Sequence, residues 1–179
     1  MKKLITVFCA VFSMALLAEE SIYTLKNADF QQKFTSWTAT KRASLPPEKL
    51  GFAIENMDGK DVLVAVGSDK IKHFQLVQHI DLKENEILKK KVTFGATIKP
   101  EKLSGTVKIM VREVLKNKKW SRYRTIALNK YTPNEWKKFV SSFVVSPPTV
   151  CLQFYIQTQY LAPGDRVLVK DPFIQITSK

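Results

Sequence analysis

The alternation of side chains between Phe74 and Ile98 restricts what this chain can fold into more than any other feature. From Phe74 to Leu82, the residues Leu76, Gln78, Ile80 and Leu82 share one parity, and Gln75, His79 and Asp81 take the other. From Ile87 to Ile98, the residues Val92, Phe94, Ala96 and Ile98 oppose Thr93, Gly95 and Thr97. Successive side chains of a strand point to opposite faces, so this period of two predicts two half-buried antiparallel strands. Lys83, Glu84, Asn85 and Glu86 read as a polar turn between them, which makes the expected pair neighbours in one sheet.

Similar segments fill the rest of the chain. Gly51 to Asn56, Val62 to Val66, Val107 to Leu115, Trp120 to Leu128, Phe139 to Val145, Val150 to Gln157 and Val167 to Ile176 each read as a strand. Turn signals separate them: Met57-Asp58-Gly59-Lys60, a break at Lys99-Pro100, Asn117 to Lys119, Tyr131-Thr132-Pro133-Asn134, Pro147-Pro148 and Ala162-Pro163-Gly164-Asp165. Near the start, Phe30, Phe34 or Trp37 pins a segment into the core after a turn at Asn27 to Asp29. Short strands at this spacing, nearly free of helical periodicity, predict an all-β fold, a two-sheet antiparallel β-sandwich.

The first eighteen residues read as an address. Lys2 and Lys3 precede an uncharged apolar run from Leu4 to Leu17, and Ala18 before Glu19 is a small-residue cleavage site. The run is short of the roughly 20 residues that span a bilayer, so a signal peptide cut after Ala18 is expected, with no membrane span remaining. Residues 19–179 then form one domain in a secreted, periplasmic or cell-surface location. Cutting removes Cys9 and leaves Cys151 as the sole cysteine, which reads as a buried, inert thiol beside Val150 and Leu152. The cut also leaves 27 basic residues against 16 acidic ones, a net charge of +11. Such a surface draws anionic partners, or simply solvates well.

Several stretches, in order, resemble the jelly-roll carbohydrate-binding modules of families 4 and 9, within the galactose-binding-like superfamily. They are Asn27-Ala28-Asp29-Phe30 followed by Trp37; Gln78-His79-Ile80-Asp81-Leu82 feeding Val92-Thr93-Phe94-Gly95-Ala96; Thr132-Pro133-Asn134-Glu135-Trp136-Lys137-Lys138-Phe139; and Val169-Lys170-Asp171-Pro172-Phe173-Ile174. The resemblance implies a two-sheet jelly roll, often with a structural calcium and a glycan groove on the concave sheet. Asn27, Asp29 and Asp171 would be the calcium ligands, although Gln31 stands where the family frequently has a glutamate. The alternative is that Asp171 hydrogen-bonds a turn.

The residues offer no reaction chemistry. His73 and His79 are the only histidines, without zinc spacing, and are expected at the surface or rim; no Ser/His/Asp set, phosphate loop or acid pair stands out. An enzyme is not expected. Two sets of residues suit a glycan. Gln153, Tyr155 and Gln157 point away from the core on one strand, expected beside Thr93, Gly95 and Thr97, with Tyr155 for stacking and amides for hydroxyls; the alternative is that Tyr155 packs against the next sheet edge or a loop. The hairpin of Trp120, Arg122, Tyr123 and Arg124, with Lys116, Lys118 and Lys119, interleaves bases and aromatics suited to an anionic glycan. The expected partner is a polysaccharide or other glycan rather than nucleic acid. The alternative is a structural or protein-interaction sandwich of the cell envelope, meeting an envelope protein.

Overall fold

The computed structural model describes residues 25–39, 45–70, 72–80, 84–116, 121–130 and 132–177. The expected signal peptide and Trp120 lie outside these residues, as do Lys118 and Lys119. Ten strands are present: β1 (Thr38–Ala39), β2 (Phe52–Met57), β3 (Lys60–Val66), β4 (His73–Ile80), β5 (Lys91–Lys102), β6 (Thr106–Leu115), β7 (Ser121–Leu128), β8 (Lys137–Val144), β9 (Thr149–Gln159) and β10 (Arg166–Thr177). A 3-10 turn at Pro47–Leu50 and one short helix, α1 (Glu84–Ile87), complete the described elements. The strands form two five-stranded sheets, ordered β2-β3-β10-β5-β8 and β1-β4-β9-β6-β7, and every pairing is antiparallel. This is the two-sheet jelly roll expected from the alternation.

The inward positions are those that the period of two selects. Leu76 and Ile80 of β4, Leu152, Phe154 and Ile156 of β9, and Val107, Ile109 and Val111 of β6 meet Val92, Phe94, Ala96 and Ile98 of β5 and Val167, Val169, Ile174 and Ile176 of β10 in one core. The N-terminal loop plugs one side. Phe30 is buried with its ring 5.6 Å from that of Trp37, and Trp37 sits edge-on to Phe154 at 6.1 Å. Gln78 holds this loop in place. Although polar, it points inward and is 3 % exposed, because its amide accepts from Lys26 N at 2.7 Å and donates to Lys26 O at 2.9 Å. A buried amide satisfied at both ends costs little, and here it substitutes for a strand partner.

The expected hairpin between Phe74 and Ile98 does not form. β4 belongs to one sheet and β5 to the other, so the chain crosses the sandwich between them and α1 packs Ile87 into the core. Alternation specifies which face of a strand is buried, and it is silent about which sheet carries the strand. The break expected at Pro100 is also absent, since β5 continues to Lys102 with Pro100 opposite Val167. β8 stops at Lys137 opposite Ile98, so the strand around Pro100 is unpaired on that side, where a residue without an N–H is tolerated. The turn at Asp58 and Gly59 has φ of 52° and 77°, the left-handed pair that a tight two-residue hairpin requires. The Val107–Leu115 hairpin forms as expected, pairing β6 with β7.

Asp165 ties two turns together. Its Oδ2 accepts from Ser104 N at 2.9 Å, Ser104 Oγ at 2.6 Å and Ala162 N at 3.0 Å. Burial opposes ionisation of this carboxyl, and the donors of Ser104 and Ala162 outweigh it, holding its pKa below the ordinary aspartate value. A lowered pKa gives stability that is present above the unfolded value of about 4 and lost as pH falls through the native one. Urea melts are therefore expected to show a loss of stability below about pH 4 that is smaller in Asp165→Asn. An equal acid slope in the variant would contradict this. At Gly95 a Cβ would lie 2.0 Å from Phe139 O and 3.0 Å from the Phe173 ring. Gly95→Ala should consequently cost about 1–3 kcal/mol in thermal denaturation, and an unchanged melting temperature would show that β8 can move aside.

Candidate functional site

The outward residues of the β1-β4-β9-β6-β7 sheet fall into cross-strand rows set by register. His79, Gln153, Arg112 and Tyr123 form one row. Val77, Tyr155, Met110 and Thr125 form the next, and Gln75, Gln157, Lys108 and Ala127 the third. The middle row is apolar at its centre, where Val77, Tyr155 and Met110 pack into a small cluster outside the main core. The two flanking rows are polar. Together they make an open trough of about 560 Å³, lined by His73, Gln75, Lys108, Met110, Arg112, Tyr123, Thr125, Tyr155 and Gln157. Among the described residues, no Asp or Glu occupies an outward position of β4, β9, β6 or β7.

Arg112 organises one end of the trough. Its Nε donates to Ser121 Oγ at 2.9 Å and its Nη1 to Gln153 Oε1 at 3.3 Å, while its Cζ lies 5.8 Å from the centroid of the Tyr123 ring. The Tyr155 hydroxyl donates to the same Gln153 Oε1 at 2.6 Å. Hydrogen bonding with Tyr155 pushes the Arg112 pKa upward, and burial pushes the Tyr155 phenol up, so the trough keeps a fixed cation beside a neutral phenol. Lys108 adds a second cation in the third row. A surface of this kind offers donors and a ring face to a ligand rich in oxygen acceptors.

The structure separates the residues that the sequence grouped. Gln153, Tyr155 and Gln157 share the outward face of β9 as expected, but their neighbours are β4 and β6. Thr93, Gly95 and Thr97 lie on β5 in the other sheet. Tyr155 is only 5 % exposed, which makes it the trough floor instead of a free stacking platform. Tyr123, 51 % exposed, is the accessible ring. Arg122 and Arg124 take the opposite parity on β7 and leave the trough. Arg122 Nη1 donates to Ser146 Oγ at 2.6 Å, and Arg124 Nε pairs at 3.2 Å with the fully buried Glu113 while its Cζ lies 5.3 Å from the centroid of the Phe143 ring. Glu113 also accepts from Thr149 Oγ1 at 3.2 Å. Cys151 is half-buried on the same outer face as Tyr155, not enclosed in the core. Lys108, Met110 and Arg112 were missed because an alternating strand reads the same whichever sheet face becomes the site.

Of the expected calcium ligands, Asp29 and Asp171 line one cavity and Asn27 does not. Asn27 is spent on its own loop, donating to Lys33 O at 2.9 Å and Thr35 O at 3.0 Å and accepting from Gln32 N at 3.0 Å. Asp29 and Asp171 line a cavity of about 260 Å³ with Gln31, Asp61, Lys60 and Lys170. Among the described residues, no cluster of three His, Cys, Asp or Glu is placed to hold a metal ion. A further cavity of about 530 Å³ opens on the outside of the other sheet, over Val62 and Leu168. There the ammonium of Lys170 sits 4.1 Å from the centroid of the Trp136 ring and covers one face of it.

No family model and no curated protein matches the sequence. Solved structures do match the fold. A family 61 carbohydrate-binding module in complex with β-1,4-galactotriose aligns with a TM-score of 0.58 at 14% identity, over 84% of this chain and 95% of that one. A family 16 carbohydrate-binding module aligns with a TM-score of 0.61 at 15% identity, over 83% and 96% of the two chains. The Stig cyclase Fisc from Fischerella sp. TAU aligns with a TM-score of 0.59 at 12% identity, over 90% and 100%. Modules of families 4, 22 and 28 are further neighbours. At these identities the likeness shows the β-sandwich fold of such modules, and a superfold carries binding modules and enzymes alike.

The two tyrosines should respond oppositely to truncation. Tyr155→Ala is expected to cost about 2–4 kcal/mol in thermal or urea denaturation, because it empties the packed floor. Tyr123→Ala should change stability by less than about 0.5 kcal/mol. Equal costs at the two positions would mean that Tyr123 is also a packing residue.

Proposed function

We infer that this chain is a non-catalytic glycan-binding module, exported through its N-terminal signal, and that the trough over β4, β9, β6 and β7 is its binding site. The observation that carries this reading is the composition of the trough. An apolar floor of Val77, Tyr155 and Met110, an exposed Tyr123 ring and a rim of Gln75, Gln157, Lys108 and Arg112 together supply a stacking face, amides for hydroxyls and two cations. The fold shared with several carbohydrate-binding modules supports it.

The finer proposal is that the ligand is an acidic saccharide, bearing carboxylates or sulfates. A trough without a carboxylate of its own and with fixed cations at two rows favours an anionic chain, which Arg112 engages through the guanidinium donors not committed to Ser121 and Gln153. The net charge of +11 left after the signal is cut adds long-range attraction for the same ligand.

The test is binding of the purified protein to an array of neutral and acidic glycans at physiological salt, where weak steering by surface charge is screened. Selective binding to uronic-acid or sulfated chains is expected. Tyr123→Ala should weaken it about tenfold or more, as for a ring at the centre of a contact. Lys108→Gln should weaken acidic glycans and leave any neutral ones unaffected. No binding to any glycan would sink the reading and direct the search to a protein partner of the cell envelope.

A further inference from the structure

Both histidines of the chain stand at outward positions of β4, and each ring faces glutamines of β9. Gln157 Nε2 lies 3.0 Å from His73 Nε2, and Gln159 Nε2 lies 3.3 Å from His73 Nδ1. Gln153 Nε2 lies 3.0 Å from His79 Nδ1. An amide nitrogen only donates, so the ring nitrogen opposite it must supply a lone pair. A neutral imidazole has one such lone pair, and an imidazolium has none. The protonation state of the ring therefore dictates which end of each amide turns toward it, and the other end is left for the ligand.

The two trough glutamines differ in what else holds them. Gln153 Oε1 already accepts from the Tyr155 hydroxyl and Arg112 Nη1, so turning that amide loses both bonds. Gln157 has no such anchor. Its one side-chain hydrogen bond among the described residues is to His73, and it lines the trough beside Lys108 while only 5 % exposed. With His73 neutral and its lone pair on Nε2, the nitrogen of the closer contact, the Gln157 amide gives its nitrogen to the ring and its oxygen to the trough, while Gln159 turns its oxygen to the Nδ1–H. With His73 charged, the amide must turn, presenting two N–H donors to the trough instead.

We propose that His73 is a positioning residue that sets the hydrogen-bonding polarity of the trough through Gln157, switching it from acceptor to donor as the ring gains a proton. This inference rests on the glycan-binding reading. Among the described residues of these strands, the other titratable groups at outward positions along the trough are Tyr155 on β9, Lys108 and Arg112 on β6, Tyr123 on β7 and His79 on the same strand. Among these residue types, histidine is the one whose ordinary charge change falls between about pH 5.5 and pH 7.5. Carboxylates of an acidic saccharide stay ionised over the same interval. Acid thus adds donors and positive charge facing a ligand whose own charge is constant, and tightens binding.

Two readouts test this. The first needs no ligand: the side-chain amide resonances of Gln157 are followed by NMR from about pH 7.5 to pH 5.5, together with the His73 ring. They are expected to move with the same midpoint as the ring and to stay still in His73→Gln. The second is calorimetric binding of a galacturonic acid trimer. Affinity should rise roughly tenfold over that interval, the effect of gaining one hydrogen bond to a charged group. It should be flat in His73→Gln and retained in His79→Gln. A Gln157 amide that ignores the titration of His73 overturns the inference whatever binds, as does a pH response that persists in His73→Gln. An amide that follows His73 while no acidic glycan binds at any pH supports the coupling and overturns the glycan reading instead.

Discussion

Strand β9 is the constraint on which both the core and the trough depend. It is paired along both edges, to β4 and to β6, so neither of its faces can shift without breaking a ladder. Its inward residues Leu152, Phe154 and Ile156 are essentially inaccessible and meet the opposite sheet, with Phe154 also receiving the edge of Trp37. Its outward residues Gln153, Tyr155 and Gln157 are thereby held at fixed spacing on the far side. A one-residue slip of β9 would put Tyr155 in the core and Phe154 in the trough, so packing of the interior specifies the register of the surface.

The trough follows from that rigidity. Its floor is built of Val77, Tyr155 and Met110 from three adjacent strands, and its polar groups are held by one another. Arg112 is fixed by Ser121 and Gln153, and Gln153 in turn by the Tyr155 hydroxyl and His79. A ligand meeting this surface finds side chains already ordered, and the entropy cost of arranging them is small. The opposite sheet is organised differently. There Arg166 reaches Glu55 through its Nη1 and Nη2, at 2.9 and 2.6 Å, and Glu101 through Nε at 2.6 Å, binding β2, β10 and β5 together on their outer face. Lys170 and Lys138 lie over the rings of Trp136 and Phe173, whereas no Asp or Glu lines the trough.

Much of this was legible in the sequence, and the misses share one cause. The alternation named the buried residues of β4, β5 and β9, and the turn residues Asp58 and Gly59 marked the β2–β3 hairpin. Gln153, Tyr155 and Gln157 were placed on an outward face for the right reason, the parity of their strand. Their neighbours were not, because β4 and β5 read as a hairpin and instead lie in different sheets. Tyr155, read as a stacking ring, is buried while Tyr123 is exposed for a related reason: the number of paired strands flanking a ring decides its burial, and β9 is central while β7 is an edge. Arg122 and Arg124 flank Tyr123 in the chain, yet a strand sends them to the other side of the sheet.

By itself, the sequence determined the fold class, the inward face of nearly every strand, the positions of the turns and the basic character of the chain. These are local properties, written in a period of two and in the chemistry of glycine, proline and asparagine, and no distant contact is needed to state them. Only the tertiary structure decided which strands lie side by side, that Lys108, Met110 and Arg112 join Gln157 and Tyr155 in one trough, that Asn27 closes its own loop, and that His73 meets Gln157 across 84 positions of the chain. The reason is physical: strand pairing is settled by the packing of two whole sheets against each other, an energy shared among dozens of residues and encoded in no single stretch.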